Sequence, residues 1–210
     1  MNAIDPLLAD ALAAMAVPGV LVAHRVIQPG DESVLLQTEA ITVTSPAIEK
    51  RRASGAARIV GRALLKQLGL PESPLPKRVS GVPLWPDGVT GSFAHDQTVA
   101  VAALGLRKNV GAIGIDIEPA TMLPDDMFDL VTTPTERGNI TSDPYHGRLF
   151  FTAKEAVYKA VHPLDGKFLD YHDIEVDLDA RKAITKTGRV VDIRFCIAPH
   201  IVAVAWLPPR

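Results

Sequence analysis

Three short stretches of this 210-residue chain hold the residue types that phosphate chemistry needs, at spacings local structure can use. In Gly114-Ile115-Asp116-Ile117-Glu118, a strand period of two sends Ile113, Ile115 and Ile117 to one face and Gly114, Asp116 and Glu118 to the other. Residues two apart in a strand lie about 7 Å from each other, so the two carboxylates can close on one hard cation. The small residues Ala112 and Gly114 are expected to leave room for a ligand beside them. An isolated Asp-x-Glu is more often a solvated strand end. In Phe151-Thr152-Ala153-Lys154-Glu155-Ala156-Val157-Tyr158-Lys159, helical spacing predicts a buried stripe of Leu149, Ala153, Ala156, Val157 and Ala160. Glu155 and Lys159 then stand one turn apart. They read either as a solvated ion pair of small worth, or as a third metal carboxylate beside an ammonium aimed at a phosphate. The third stretch, Trp85 to His95, joins a turn-forming Pro86-Asp87-Gly88 to Gly91-Ser92 and a histidine. His95 is either a satisfied core residue or a donor to a phosphate oxygen. Upstream, Arg52 and Arg58 belong to a basic helix face that is ordinarily solvated, but that can also clamp a pyrophosphate or a 3′-phosphate.

The elements that hold these residues follow from the apolar pattern. Asp5-Pro6 opens a short helix with Leu7, Leu8, Ala11, Leu12 and Met15 at helical spacing. Residues 19–27 and 33–38, separated by Gln28-Pro29-Gly30-Asp31, predict a β-hairpin. Ser45-Pro46 opens a second helix, whose stripe of Ala56, Ile59, Val60, Ala63, Leu64 and Leu68 stops at Gly69. The Pro-rich residues 71–86 read as an ordered connector. Strands are predicted at 92–95, 98–104 and 110–118, a helix at 148–162, and further strands at 174–178, 190–197 and 201–206. Each half thus carries one long helix and about three strands, which predicts an α+β chain of two lobes, 1–108 and 109–210.

Taken in order, Trp-Pro-x-Gly-x-x-Gly-Ser-x-x-His ending at His95, Gly-Ile-Asp-Ile-Glu ending at Glu118, and Phe-Thr-Ala-Lys-Glu-Ala-x-x-Lys ending at Lys159 resemble the three signature motifs of the 4′-phosphopantetheinyl transferases. The resemblance covers residues 47–160 and is to the two-lobed, monomeric type that serves siderophore, non-ribosomal peptide and polyketide synthases. It implies two similar lobes about a pseudo-twofold axis, each a long helix packed on a small antiparallel sheet, with coenzyme A between them. It implies that Asp116, Glu118 and Glu155 hold Mg²⁺ with the coenzyme A pyrophosphate, and that Lys159, Lys154, His95, Arg58 and Arg52 contact its phosphates. The implied reaction moves the phosphopantetheine arm onto a serine of an apo acyl or peptidyl carrier protein and releases 3′,5′-ADP. Glu155 is the expected base, directly or through a metal-bound water, with Glu118 as competitor, and Lys159 offsets charge on the departing phosphate. Ala94 stands where many relatives have Ser, Ala57 before Arg58 where they have Gly, and Phe151 where they have Trp. None of these departures removes a charged group that the chemistry needs.

Composition bounds the alternatives. Twenty-two Lys and Arg against 24 Asp and Glu give a net charge of −2, which selects no polyanion. The charges are nevertheless segregated: residues 50–78 hold eight bases and one acid, residues 116–136 six acids and no base. One surface then suits phosphates and another a cation. Aromatics are 5% of the chain and none lies between 45 and 70, so that basic segment offers no stacking platform for nucleic acid. The longest apolar stretch, 7–22, is broken by Asp10 and Pro18, so neither a signal peptide nor a membrane span is expected. The single Cys196 permits no internal disulfide and fits a reducing compartment, so a cytoplasmic location is expected. The rival readings are a metal-dependent phosphodiesterase using the same carboxylates, and a non-catalytic module that binds coenzyme A or nucleic acid.

Overall fold

The computed structural model describes residues 3–139 and 143–209. The Asp5 carboxylate accepts from the Leu7 and Leu8 amides and so caps α1 (Pro6–Ala14). There follow β1 (Leu21–Val26), α2 (Gln37–Thr42), α3 (Ile48–Gln67), β2 (Val89–His95) and β3 (Val99–Leu106). The second half holds β4 (Ala112–Pro119), α4 (Asp125–Val131), α5 (Pro134–Gly138), α6 (His146–Asp165), β5 (Ile174–Asp177), β6 (Lys182–Thr185), β7 (Val190–Cys196) and β8 (His200–Leu207). Two antiparallel sheets result, one of order β1-β3-β2 and one of order β4-β8-β7-β6-β5. No helix among the described residues is long and apolar enough to cross a membrane.

Side-chain alternation stacks these elements into four layers. Along β3, Ala102 and Leu104 meet Val60, Leu64 and Leu65 of α3, while Val99, Val101 and Ala103 face the opposite way. That opposite face packs on Ile113, Ile115 and Ile117 of β4 and Val202 and Val204 of β8, as the strand period predicts. Behind the second sheet, Ala112, Ile193, Ala203 and Ala205 meet Ala153, Ala156, Val157 and Ala160 of α6. The fold is therefore α+β, with a middle apolar layer shared by both sheets.

Two local expectations are corrected. Residues 33–38 do not form the second strand of a hairpin: 31–34 make a 3₁₀ turn and 37–42 the helix α2, while β1 pairs with β3. The cause is polar. The Asp31 carboxylate accepts from the Gln28 amide and grips Arg25, and Glu39 accepts from the Leu36 amide, so local side-chain bonds outbid a β pattern. The fully buried Glu39 also accepts from Arg62 and from the Leu75 amide, which orders the Pro-rich connector against α3. Secondly, Gly114 leaves no room for a ligand. A Cβ there would overlap the Ala156 carbonyl oxygen, so the missing side chain lets α6 lie directly on β4. Gly114→Ala is expected to lower stability by about 1–3 kcal/mol through overpacking, read as a lower urea midpoint at unchanged slope. An unshifted midpoint would mean that α6 can retreat freely.

Candidate active site

β4 and α6 bring the central carboxylates together. Asp116 is buried; its Oδ1 accepts from the Lys159 Nζ at 2.6 Å, and its Oδ2 is buried with no hydrogen-bond partner. Lys159 also donates to the Ile115 carbonyl oxygen at 3.3 Å, so it spans from helix to strand instead of pairing along the helix with Glu155. Glu155, half-buried, accepts at Oε1 from the Tyr171 hydroxyl at 3.0 Å. Glu118, also half-buried, accepts at Oε2 from Arg148 Nη1 at 3.2 Å, and Arg148 is fixed in turn by the Met122 carbonyl. Burial pushes the Asp116 carboxyl above its ordinary pKa; Lys159 opposes this and the Glu155 charge adds to it. Burial, then the Asp116 charge, raises Glu118 as well. Burial, followed by the Glu155 charge, raises the Tyr171 phenol, which keeps it a donor.

As the side chains stand, no three Asp, Glu, His or Cys groups among the described residues form a closed metal cage. The donor chemistry nonetheless fits a hard divalent cation. The Glu155 charge acts on Asp116 and the Asp116 charge acts on Glu118, and Asp116 presents a buried oxygen that no protein group satisfies.

Beside these carboxylates a cleft of about 400 Å³ opens between the two halves, lined by Ala57 and Arg58 of α3, Lys77 of the connector, His95 of β2, and Tyr158 and Lys159 of α6. Arg58 is 4% exposed, donates to the carbonyls of Leu75 and Ser54, and lies over the Phe93 ring. Burial lowers its pKa. His95, at the exposed end of β2, donates from Nδ1 to the Asp96 carbonyl at 3.2 Å. Desolvation by the cleft walls, with help from Lys159, lowers its pKa.

Asp116, Glu118, Glu155, Lys159, His95 and Arg58 thus gather around one region, and two other expected contacts do not. Lys154 is fully buried, pairs with Glu136 at 2.7 Å, and donates to the carbonyls of Val131 and Tyr171. At 100° per residue, five positions place it about 140° around α6 from Lys159, so it faces the core and reaches no phosphate. Arg52 pairs with Glu32 at 2.9 Å and does not line the cleft.

The sequence reading missed Arg148 and Tyr171. Arg148 had a signal, since it stands seven residues before Glu155 and so on the same helix face. Tyr171 had none, because it lies in a separate 3₁₀ turn that only tertiary packing brings to Glu155.

Known proteins match both halves of the chain. Residues 38–105 match the 4′-phosphopantetheinyl transferase N-terminal domain, and residues 112–205 match the 4′-phosphopantetheinyl transferase superfamily. The chain is 38% identical over 170 residues to 4′-phosphopantetheinyl transferase Svp of Streptomyces mobaraensis, covering 78% of this chain and 69% of that protein. It is 34% identical over 160 residues to 4′-phosphopantetheinyl transferase PptT of Mycobacterium tuberculosis, covering 74% of this chain and 70% of that one. Enterobactin synthase component D of Salmonella typhimurium is 36% identical over 123 residues, 53% of this chain and 48% of its own. Both halves match the family, and two relatives are covered over 69% and 70% of their own length, so the chain belongs to the 4′-phosphopantetheinyl transferases.

Proposed function

We propose that this transferase moves the 4′-phosphopantetheine of coenzyme A onto a serine of an apo acyl or peptidyl carrier protein, with Mg²⁺ required and 3′,5′-ADP released. The observation that carries the reading is the unpartnered buried Oδ2 of Asp116, flanked by two further carboxylates at the edge of a cation-lined cleft. Arg58, His95 and Lys159 bind the coenzyme A phosphates, and Lys77 on the same cleft wall adds a fourth donor. Asp116, Glu118 and Glu155 would hold Mg²⁺, which when bound supplies positive charge to the pyrophosphate. The serine oxygen forms a bond to the pantetheine-side phosphorus as the bridging P–O bond breaks. Glu155, oriented by Tyr171, takes the serine proton, and Lys159 offsets charge on the leaving phosphate. Glu118 is the competing base, favoured by its raised pKa.

We assign residues 1–108 and 109–210 to lobes related by a pseudo-twofold axis, and the chain to a monomeric, cytoplasmic enzyme of siderophore or other secondary-metabolite assembly. The test is the intact mass of an apo carrier protein incubated with this chain, coenzyme A and Mg²⁺. The expected result is a serine-linked gain of one phosphopantetheine, abolished by EDTA, with 3′,5′-ADP as co-product. Coenzyme A hydrolysis without any gain on the carrier would replace this reading with a phosphodiesterase.

A further inference from the structure

We propose that Asp96 and His200 form a positioning pair that fixes His95 at the rim of the cleft by tying the β2–β3 turn to the start of β8. The proposal rests on the reading of His95 as a coenzyme A phosphate contact. One oxygen of Asp96 closes the turn: Oδ1 accepts from the Thr98 amide at 2.6 Å, the Val99 amide at 2.7 Å and the Thr98 hydroxyl at 3.0 Å. The other oxygen lies at an ion-pair distance of 3.1 Å from His200 Nε2 without hydrogen-bond geometry, and the two side chains are only 5% and 16% exposed. His95 leans on this turn, its Nδ1 donating to the Asp96 carbonyl.

Among the ion pairs of the described residues, this is the one that joins the first sheet to the second. That placement matters because the cleft draws His95 from one half and Lys159 from the other. The shared apolar layer sets the register of the halves, and the pair adds a local tie at this end, where the turn carrying His95 projects beyond that layer. Behind His95 lies a second groove of about 820 Å³, lined by Lys50, Asp96, Glu118, Arg148 and His200. The turn therefore has open space on its far side into which it can shift. A largely buried ion pair adds little net stability compared with apolar packing, whereas it does specify geometry. Their one hydrogen-bonded link to the cleft lining is the Asp96 carbonyl that accepts from His95; the Asp96 charge is also felt by Glu118 across the second groove, and the His95→Ala background separates the two routes.

The test is a double-mutant cycle on coenzyme A affinity, measured by calorimetry on the full chain without carrier protein. His200→Gln and Asp96→Asn remove the pair from opposite sides, and Asn keeps an oxygen for the Thr98 and Val99 amides. Each is expected to weaken coenzyme A binding by roughly 5- to 10-fold while retaining a cooperative thermal transition. In a His95→Ala background, itself weaker in binding, the same substitutions are expected to add less than about twofold. An unchanged affinity in both single variants overturns the positioning role, as does an equal loss with and without His95. If His95→Ala binds coenzyme A normally, the phosphate assignment of His95 is wrong and the positioning role falls with it.

Discussion

Asp116→Ala is expected to cut phosphopantetheine transfer by about three orders of magnitude while the folded chain keeps or gains thermal stability. The two effects have one origin. Asp116 is buried beside two other carboxylates, with one oxygen on Lys159 and the other unsatisfied, and burial raises its pKa. A carboxyl whose folded pKa lies above its unfolded value is held ionised at a cost, and that cost is present at pH values above the unfolded pKa. Removing it relieves the fold and takes away the central oxygen donor of the site. Transfer would be followed by carrier mass and stability by thermal melting, side by side. Near-full transfer would remove Asp116 from the chemistry. A large drop in melting temperature would return it to a structural part.

Lys154→Ala is expected to do the reverse, destabilising the chain by about 3–5 kcal/mol because it strands a buried charge. Glu136 is 1% exposed, and besides Lys154 it accepts from the Thr133 and Val176 amides, which ties α5 and β5 to α6. Without the ammonium, that carboxylate loses its counterion, and the carbonyls of Val131 and Tyr171 lose their donor. Denaturant titration checks the loss. A Lys154→Met, Glu136→Gln double variant is expected to recover a good part of it, since no lone charge is left. An exposed phosphate contact would behave differently: coenzyme A affinity would fall with stability unchanged.

That contrast shows how far the chain could be read without its fold. The long helices α3 and α6 were legible because twenty-residue apolar stripes average over many local preferences. The alternation in β4 correctly divided Ile113, Ile115 and Ile117 from Asp116 and Glu118. A motif lists residues without their azimuth, so Lys154 and Lys159 looked equivalent although one faces the core and the other the cleft. Gly114 could be recognised as small, but what needs the space is the backbone of a helix some forty residues away. The turn at 31–34 rests on local bonds of Asp31 to Gln28 and Arg25 that an apolar pattern does not weigh, and helix α2 is held by Glu39 finding Arg62 and Leu75, contacts that no local window contains. Strand β6 is four residues long with alternate residues exposed, too short to stand out from a loop.

The apolar layer between the sheets also sets how this enzyme can breathe. Swinging the halves apart would expose Val99, Val101 and Ala103 on one side and Ile113, Ile115, Ile117, Val202 and Val204 on the other, all buried against each other. Large apolar interfaces of this kind resist hinge opening. Access to the cleft therefore falls to its rim, above all the exposed stretch 78–81 of the connector, bounded by the bridge between Lys77 and Pro83. Entry and exit of substrate become a matter of a few residues moving over a stiff frame, and the pace of turnover can be retuned at that rim without disturbing the frame.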